Sequence, residues 1–118
     1  MFADRLQEVS DRIEGILAVS LVAKDGIPVE SVAVDASIDL ELLAAELMSQ
    51  VRAVSQDHRE LSVGKVRLFS LTTDKLILMV GALTDDYYLL LVLDADSNFG
   101  RARFELRRAI LHFEEDLI

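Results

Sequence analysis

Cysteine is absent from the 118-residue chain, so it has neither a disulfide framework nor a thiolate metal site. This absence is typical of a protein in the reducing cytoplasm. The opening stretch MFADRLQEV lacks the basic-then-apolar order of a signal peptide. The longest apolar runs, LILMVGAL and YYLLLVL, fall far short of the roughly 20 residues that span a bilayer. We therefore expect a cytoplasmic protein with no membrane-inserted segment.

Positive charge is also scarce. Lys and Arg number 12 against 21 Asp and Glu, which gives a net charge of −9 and a pI near 4.5. Nucleic acid and anionic membranes are not expected partners of so acidic a chain. Hydrophobic residues nevertheless make up 52% of the chain, above the 45–50% of an average domain. An acidic chain this apolar predicts a surface that is hidden against a second copy or another partner.

Catalytic motifs are missing as well. The two histidines, His58 and His112, are distant in sequence, and no Ser/His/Asp order or glycine-rich phosphate loop accompanies them. His58 continues the core-facing side of a predicted helix, which favours an ordinary half-buried or capping histidine. We expect a non-enzymatic protein with no catalytic residue, cofactor, metal or small-molecule substrate.

Periodicity predicts a single domain over residues 1–118 that begins with a helix and two strands. Phe2, Leu6, Val9 and Ile13 have helical spacing. The segments ILAVSLVA and PVESVAV then read as strands, joined by a two-residue turn at Asp25-Gly26 in which both residues need positive φ. The proline that opens PVESVAV cannot donate a ladder hydrogen bond, so this second strand should lie at an edge of the sheet or start at the proline.

The rest of the chain predicts a long helix, three strands and a final helix. The long helix covers about residues 38–57, and its candidate N-caps are Asp35, Ser37 and Asp39. The strands are SVGKVRLFSLTT, DKLILMVGALT and YYLLLVLD, and the candidate caps of the last helix are Asp96, Ser97 and Asn98. The last two strands are apolar on both faces, so helices must cover both sides of the sheet. The predicted fold class is a three-layer α+β sandwich.

The second helix has two unlike faces. At about 100° per residue, the stripe that faces the core is Leu40, Leu43, Ala44, Leu47, Val51 and Val54, with Met48 at its margin. The opposite side is small and nearly uncharged: Leu42, Ala45, Ser49 and Ala53, with Arg52 and Gln56 beside them. We call Leu42, Ala45, Ser49 and Ala53 the outer strip. Small side chains let another backbone come close, so the outer strip predicts a docking surface. Helix propensity alone is the alternative explanation, since alanine is the best helix former.

Two features near the last helix resemble ligand sites. Asp94, Asp96, Asn98 and Glu105 fall at positions 1, 3, 5 and 12 of a calcium loop, but position 6 is Phe99 instead of glycine. We interpret these residues as a strand end and a helix cap. The helix also carries four arginines, Arg101, Arg103, Arg107 and Arg108. We interpret them as a solvated face on which the arginines point in different directions and Arg101 pairs with Glu105.

Three segments in this order resemble the Roadblock family, and within it the MglB-type members of bacteria and archaea. They are GILAVSLVAKDGIPVESV, the small-residue central helix and SNFGRARFELRRA. The resemblance extends from about residue 13 to residue 117. It implies a five-stranded antiparallel sheet, with the central helix on one face and the two terminal helices on the other, in the order α-β-β-α-β-β-β-α.

The resemblance also implies a homodimer, in which the third strands pair edge to edge and the central helices lie side by side. The dimer contacts expected on this basis are Lys65, Val66, Arg67, Leu68, Phe69, Ser70, Leu71 and Met48.

MglB-type dimers bind a small Ras-like GTPase on their paired central helices and accelerate its GTP hydrolysis. The GTPase-binding residues expected here are Leu42, Ala45, Ser49, Arg52, Ala53 and Gln56. The resemblance implies that the GTPase's own catalytic residues are repositioned and that no arginine is inserted into its active site. Arg52 and Arg59 are nevertheless available on or near this surface. The alternative role of Arg52 is to pair with an acidic residue of its own helix. The alternative function is a Roadblock-type scaffold that assembles or localises a complex without affecting nucleotide turnover. Family members serve cell polarity, motility and signalling.

Overall fold

The computed structural model describes residues 2–117, and within them the surroundings of every side chain except those of residues 56–60, 116 and 117. Eight elements follow one another in the predicted order. They are α1 (Phe2–Arg12), β1 (Ile16–Ala23), β2 (Pro28–Ala33), α2 (Leu40–Leu61), β3 (Leu68–Thr72), β4 (Leu76–Ala82), β5 (Tyr87–Asp94) and α3 (Phe99–Leu117).

The five strands form one antiparallel sheet in the order β2-β1-β5-β4-β3. β1 and β5 therefore pair at the centre, and β2 and β3 are the two edges. Pro28 opens the edge strand β2, as its missing N–H predicts. Among the residues that the structure describes, no helix has the length and apolar character needed to cross a membrane.

Helices cover both faces of the sheet, which confirms the three-layer sandwich. One core cluster lies between the sheet and the terminal helices α1 and α3, and it includes Leu6, Leu106 and Phe113. The other lies between the sheet and α2, and it includes Leu47 and Val51. Residues 87–93 of β5 alternate between the two clusters, so the strand is apolar up to its last residue, the exposed Asp94.

The β1–β2 hairpin differs from the predicted two-residue turn. Ala23 N donates to Ile27 O over 3.0 Å, so the loop has three residues, Lys24 to Gly26. Only Gly26 has positive φ, at 93°, because a three-residue loop needs just one left-handed residue. Among the described non-glycine residues, positive φ occurs only at Ser62, so the prediction for Asp25 is wrong.

The caps of both long helices are among the predicted candidates. Asp39 Oδ1 accepts from Leu42 N over 3.2 Å at the start of α2, and Asn98 Oδ1 accepts from Arg101 N over 3.0 Å at the start of α3. Asp35 instead accepts from the hydroxyl and amide of Ser37, and these bonds hold the pKa of Asp35 below its usual 3.8. α2 ends at Leu61 and not near residue 57, because no glycine or proline interrupts it earlier.

Candidate protein-binding surface

α2 is fixed in rotation by its inner face. Ala44, Leu47, Met48 and Val51 are each at most 3% exposed against β1, β4 and β5. Met48 was expected at a dimer contact and this is wrong for its side chain, which is 2% exposed inside the protein's own core. The sequence placed Met48 at the margin of the core-facing stripe, where a small rotation of the helix decides whether a side chain is buried or exposed.

The outer strip faces away from the sheet. Leu42 is 58% exposed, and Ala45, Ser49 and Ala53 are exposed along the same side of α2. The helix therefore presents one large apolar side chain followed by small ones. Glu41 and Glu46 are exposed on either side of Leu42, so the surface around this residue is acidic.

The β1–β2 loop packs directly on α2 next to this strip. Gly26 is buried there, and a Cβ added to it would lie 3.1 Å from Ala45 Cα and 3.6 Å from Ala44 O. Two turns further along, Arg52 Nη1 donates to Lys24 O over 2.7 Å. The loop is thus attached to the helix at two points, which fixes the border of the outer strip.

Arg52 is therefore bound by the chain's own loop. It is exposed, as a partner-binding residue must be, but its described hydrogen bond runs across to the β1–β2 loop and not along the helix. The side chains of Gln56, His58 and Arg59 lie outside the described part of the chain. The expected contact of Gln56 thus stays a prediction.

The β3 edge is shorter than the predicted strand. β3 begins at Leu68, so Lys65, Val66 and Arg67 precede it in an irregular segment. Ser62 and Gly64 have φ of 56° and 99°, and these left-handed residues interrupt the extended backbone that the sequence pattern predicted. Arg67 O nevertheless accepts from Ala82 N over 2.9 Å, which starts the β3–β4 pairing.

The two sides of β3 contact different layers. Leu68 packs against the α1–α3 cluster and Phe69 against the α2 cluster, because successive side chains of a strand point to opposite faces of the sheet. Ser70 and Leu71 are exposed, Leu71 by 44%. Because β3 pairs with β4 on one side only, its other edge is open to a further strand.

The segment that resembled a calcium loop ends a strand and caps a helix, as interpreted from the sequence. Asp94 Oδ1 accepts from Asp96 N over 3.1 Å, and Asn98 is the N-cap of α3. Glu105 is 2% exposed and its Oε1 lies 3.0 Å from Arg101 Nη2, the predicted i,i+4 pair. Among the described residues, no group of three or more His, Asp or Glu side chains is arranged to hold a metal ion.

Comparison with solved structures identifies the family. A Roadblock/LC7 domain from Streptomyces avermitilis matches 96% of this chain and 94% of its own, with a TM-score of 0.85 and 14% identity. MglC from Myxococcus xanthus is 32% identical over 98% of both chains, with a TM-score of 0.73. The chain belongs to the Roadblock family. An MglB in a tetrameric arrangement also matches, with a TM-score of 0.86 and 17% identity over 96% of this chain and 85% of the other.

These similarities confirm the predicted Roadblock relationship and fold. A scan against models of protein families gave no match, and a search of the curated proteins gave none either. Membership in the Roadblock family therefore depends on the solved structures, and above all on the 32% identity to MglC.

Proposed function

We propose that the protein is a cytoplasmic, homodimeric and non-enzymatic regulator that binds a small Ras-like GTPase through the outer strip of α2 and stimulates its GTP hydrolysis. The observation that supports this most directly is the exposure of Leu42. Its helix has a complete core face of its own, yet Leu42 is 58% exposed beside Ala45 and Ser49. A leucine in this position gains free energy only when a partner covers it.

The outer strip of one chain is too small to hold a partner alone. Burial of Leu42 would contribute about 1.5–3 kcal/mol, whereas micromolar affinity requires about 8 kcal/mol. A homodimer would supply the missing area, because two α2 helices side by side double the platform. In this proposal the β3 edge, with Ser70 and Leu71 exposed, pairs with the β3 edge of the second copy.

The hydrogen bond of Arg52 bears on the mechanism. An arginine inserted into a GTPase site accelerates hydrolysis about 10³–10⁵-fold, but it must be free to reach the transferred phosphoryl group. The Arg52 guanidinium is bound to the Lys24 carbonyl over 2.7 Å. We therefore do not assign Arg52 as an inserted arginine. Stimulation would arise because the outer strip binds the GTPase conformation in which its own catalytic residues are aligned.

The second candidate function is a scaffold subunit that binds the same kind of partner without changing nucleotide turnover. One observation favours it: the Arg52 guanidinium is bound by the chain's own loop, so this arginine takes no direct part in hydrolysis. Both candidates use the same surface of α2, so they differ only in what binding does to hydrolysis.

The deciding experiment measures GTP hydrolysis by a small Ras-like GTPase that a pull-down identifies as the partner, with and without the protein. Faster turnover supports the regulator, and binding with unchanged turnover supports the scaffold. Ala45→Arg places a long charged side chain on the outer strip and should abolish binding. Ala3→Arg, at an exposed position of α1 on the other side of the sheet, is the matched control and should bind normally. If Ala45→Arg binds as tightly as the wild type, the assigned surface is wrong.

A further inference from the structure

The outward side of α3 presents large apolar side chains together with arginines. Phe104 is 57% exposed and Leu111 64% exposed, and they lie seven residues, or about two turns, apart on the side opposite the buried Leu106 and Phe113. They line one shallow surface with Gly100, Arg103, Arg107 and Arg108. We call the six residues of this surface the α3 patch. Three of the four arginines thus share one surface, which corrects the interpretation that they point in different directions.

The α3 patch is cationic on an acidic protein. Residues 99–113 contain four arginines and a single carboxylate, Glu105, which is buried and paired with Arg101. Within the described part of the chain, Arg103, Arg107 and Arg108 form neither an ion pair nor a side-chain hydrogen bond. The Arg101 guanidinium lies 5.9 Å from the centre of the Phe104 ring and so borders the patch, with its charge offset by Glu105.

We propose that the α3 patch docks on α2 of a second copy of this chain. The matching surface there is Leu42, which is exposed between the exposed carboxylates of Glu41 and Glu46. Apolar side chains would meet apolar side chains, and Arg107 and Arg108 would meet carboxylates. An anionic bilayer would satisfy the arginines too, but it would leave the acidic border of α2 without a counterpart.

The positions of the two surfaces determine how such a contact assembles. α2 covers one face of the sheet and α3 the other, so one copy cannot bring its own two surfaces together. An α3-on-α2 contact joins unlike surfaces and does not close after two copies. It should therefore give assemblies that grow with concentration beyond a dimer. We call this α3-on-α2 association of copies stacking. A consequence that depends on the proposed function is that stacking covers the outer strip and competes with GTPase binding.

Sedimentation velocity of the full chain over a wide concentration range tests the contact. The average mass of the wild type should rise past two chains, and added salt should reduce this growth. Arg107→Glu/Arg108→Glu should weaken stacking about ten-fold or more, because two attractive pairs become repulsive. Adding Glu41→Arg/Glu46→Arg to the same chain should restore it. Lys75→Glu, at an exposed cation in the β3–β4 turn, is the control for a charge reversal outside the α3 patch and should leave the mass unchanged.

Three results would overturn the inference: a wild-type mass that never exceeds two chains, unaltered growth in Arg107→Glu/Arg108→Glu, or no rescue in the four-fold variant. A fourth is binding of the wild type to phosphatidylglycerol vesicles, lost in Arg107→Glu/Arg108→Glu, without growth in mass. Circular dichroism verifies that each variant is folded. Arg107→Glu/Arg108→Glu leaves α2 intact and should still bind the GTPase. A variant that no longer stacks but still binds the GTPase therefore tests the α3-on-α2 contact separately from the proposed function.

Discussion

Gly26→Ala tests the contact that positions the β1–β2 loop on α2. The glycine has φ of 93°, a conformation that L residues disfavour. Its missing side chain also lets the loop backbone lie against the helix backbone, with an added Cβ only 3.1 Å from Ala45 Cα. The substitution therefore combines two separate penalties at one position, and both act on the border of the outer strip.

The expected magnitude follows from these two penalties. The left-handed backbone costs an alanine about 1–2 kcal/mol. The close contact is with main-chain atoms that cannot rotate away, so it adds about 1–3 kcal/mol, as overpacking usually does. A total loss of about 2–5 kcal/mol is a large part of the 5–15 kcal/mol that stabilises a typical domain.

Urea unfolding followed by circular dichroism measures the loss in the free energy of unfolding. Substitutions at two other glycines separate the backbone penalty from the penalty of the close contact. Gly64 has φ of 99° with no atom within 4 Å of an added Cβ, so Gly64→Ala should show the backbone penalty alone, about 1–2 kcal/mol. Gly100 is in α3 without positive φ, and Gly100→Ala should stabilise by about 0.5–1 kcal/mol. If Gly26→Ala loses no more than Gly64→Ala, the loop does not press on α2 and the described border is wrong.

Three further substitutions test the core, a cap and an acid-sensitive turn. Phe113→Ala, at 1% exposure, should cost about 3–5 kcal/mol in urea unfolding, whereas Leu111→Ala on the exposed side of α3 should stay within about 0.5 kcal/mol. Asp39→Ala removes the N-cap of α2 and should cost about 0.5–2 kcal/mol, and a melting temperature equal to the wild type would contradict the cap. Because bonds from Ser37 lower the pKa of Asp35, the carboxylate stabilises the fold above pH 3.8, and this contribution is lost as the pH falls through the lowered pKa. Asp35→Asn should therefore reduce the urea midpoint at pH 7 and have little effect in strong acid, and an equal effect at both pH values would refute the assignment.

Continuous apolar runs explain why much of the fold could be predicted. β1 and β5 coincide with ILAVSLVA and YYLLLVLD, since turn residues bound both runs and both faces of each strand are buried. The start of β3 could not be predicted in the same way. Its upstream residues alternate as a strand does, but Ser62 and Gly64 are left-handed, and alternation alone does not reveal this.

The candidate surface was predictable to a similar extent. Exposure of Leu42 and Ala45 follows from helical periodicity, because it depends only on which side of α2 faces the sheet. The hydrogen bond of Arg52 was not predictable, since its acceptor, Lys24 O, is 28 residues away and reaches it only in the folded chain. The burial of Gly26 against Ala45 was not predictable either, because it is also a tertiary contact between distant parts of the chain.

The route of the chain through α2 has a mechanical consequence. The helix receives the chain from β2 at one rim of the sheet and returns it to β3 at the other rim. Only the irregular segments 34–39 and 62–67 can absorb a movement of α2 between these two rims. A ligand that pushes the helix along its axis would pull on β3, through which two copies pair in the proposed homodimer, and such pairing would in turn bias the position of the helix. Binding of a ligand to α2 would then alter the affinity of two copies for each other, and their pairing would alter the affinity for the ligand. Thermodynamic linkage requires these two effects to be equal in size.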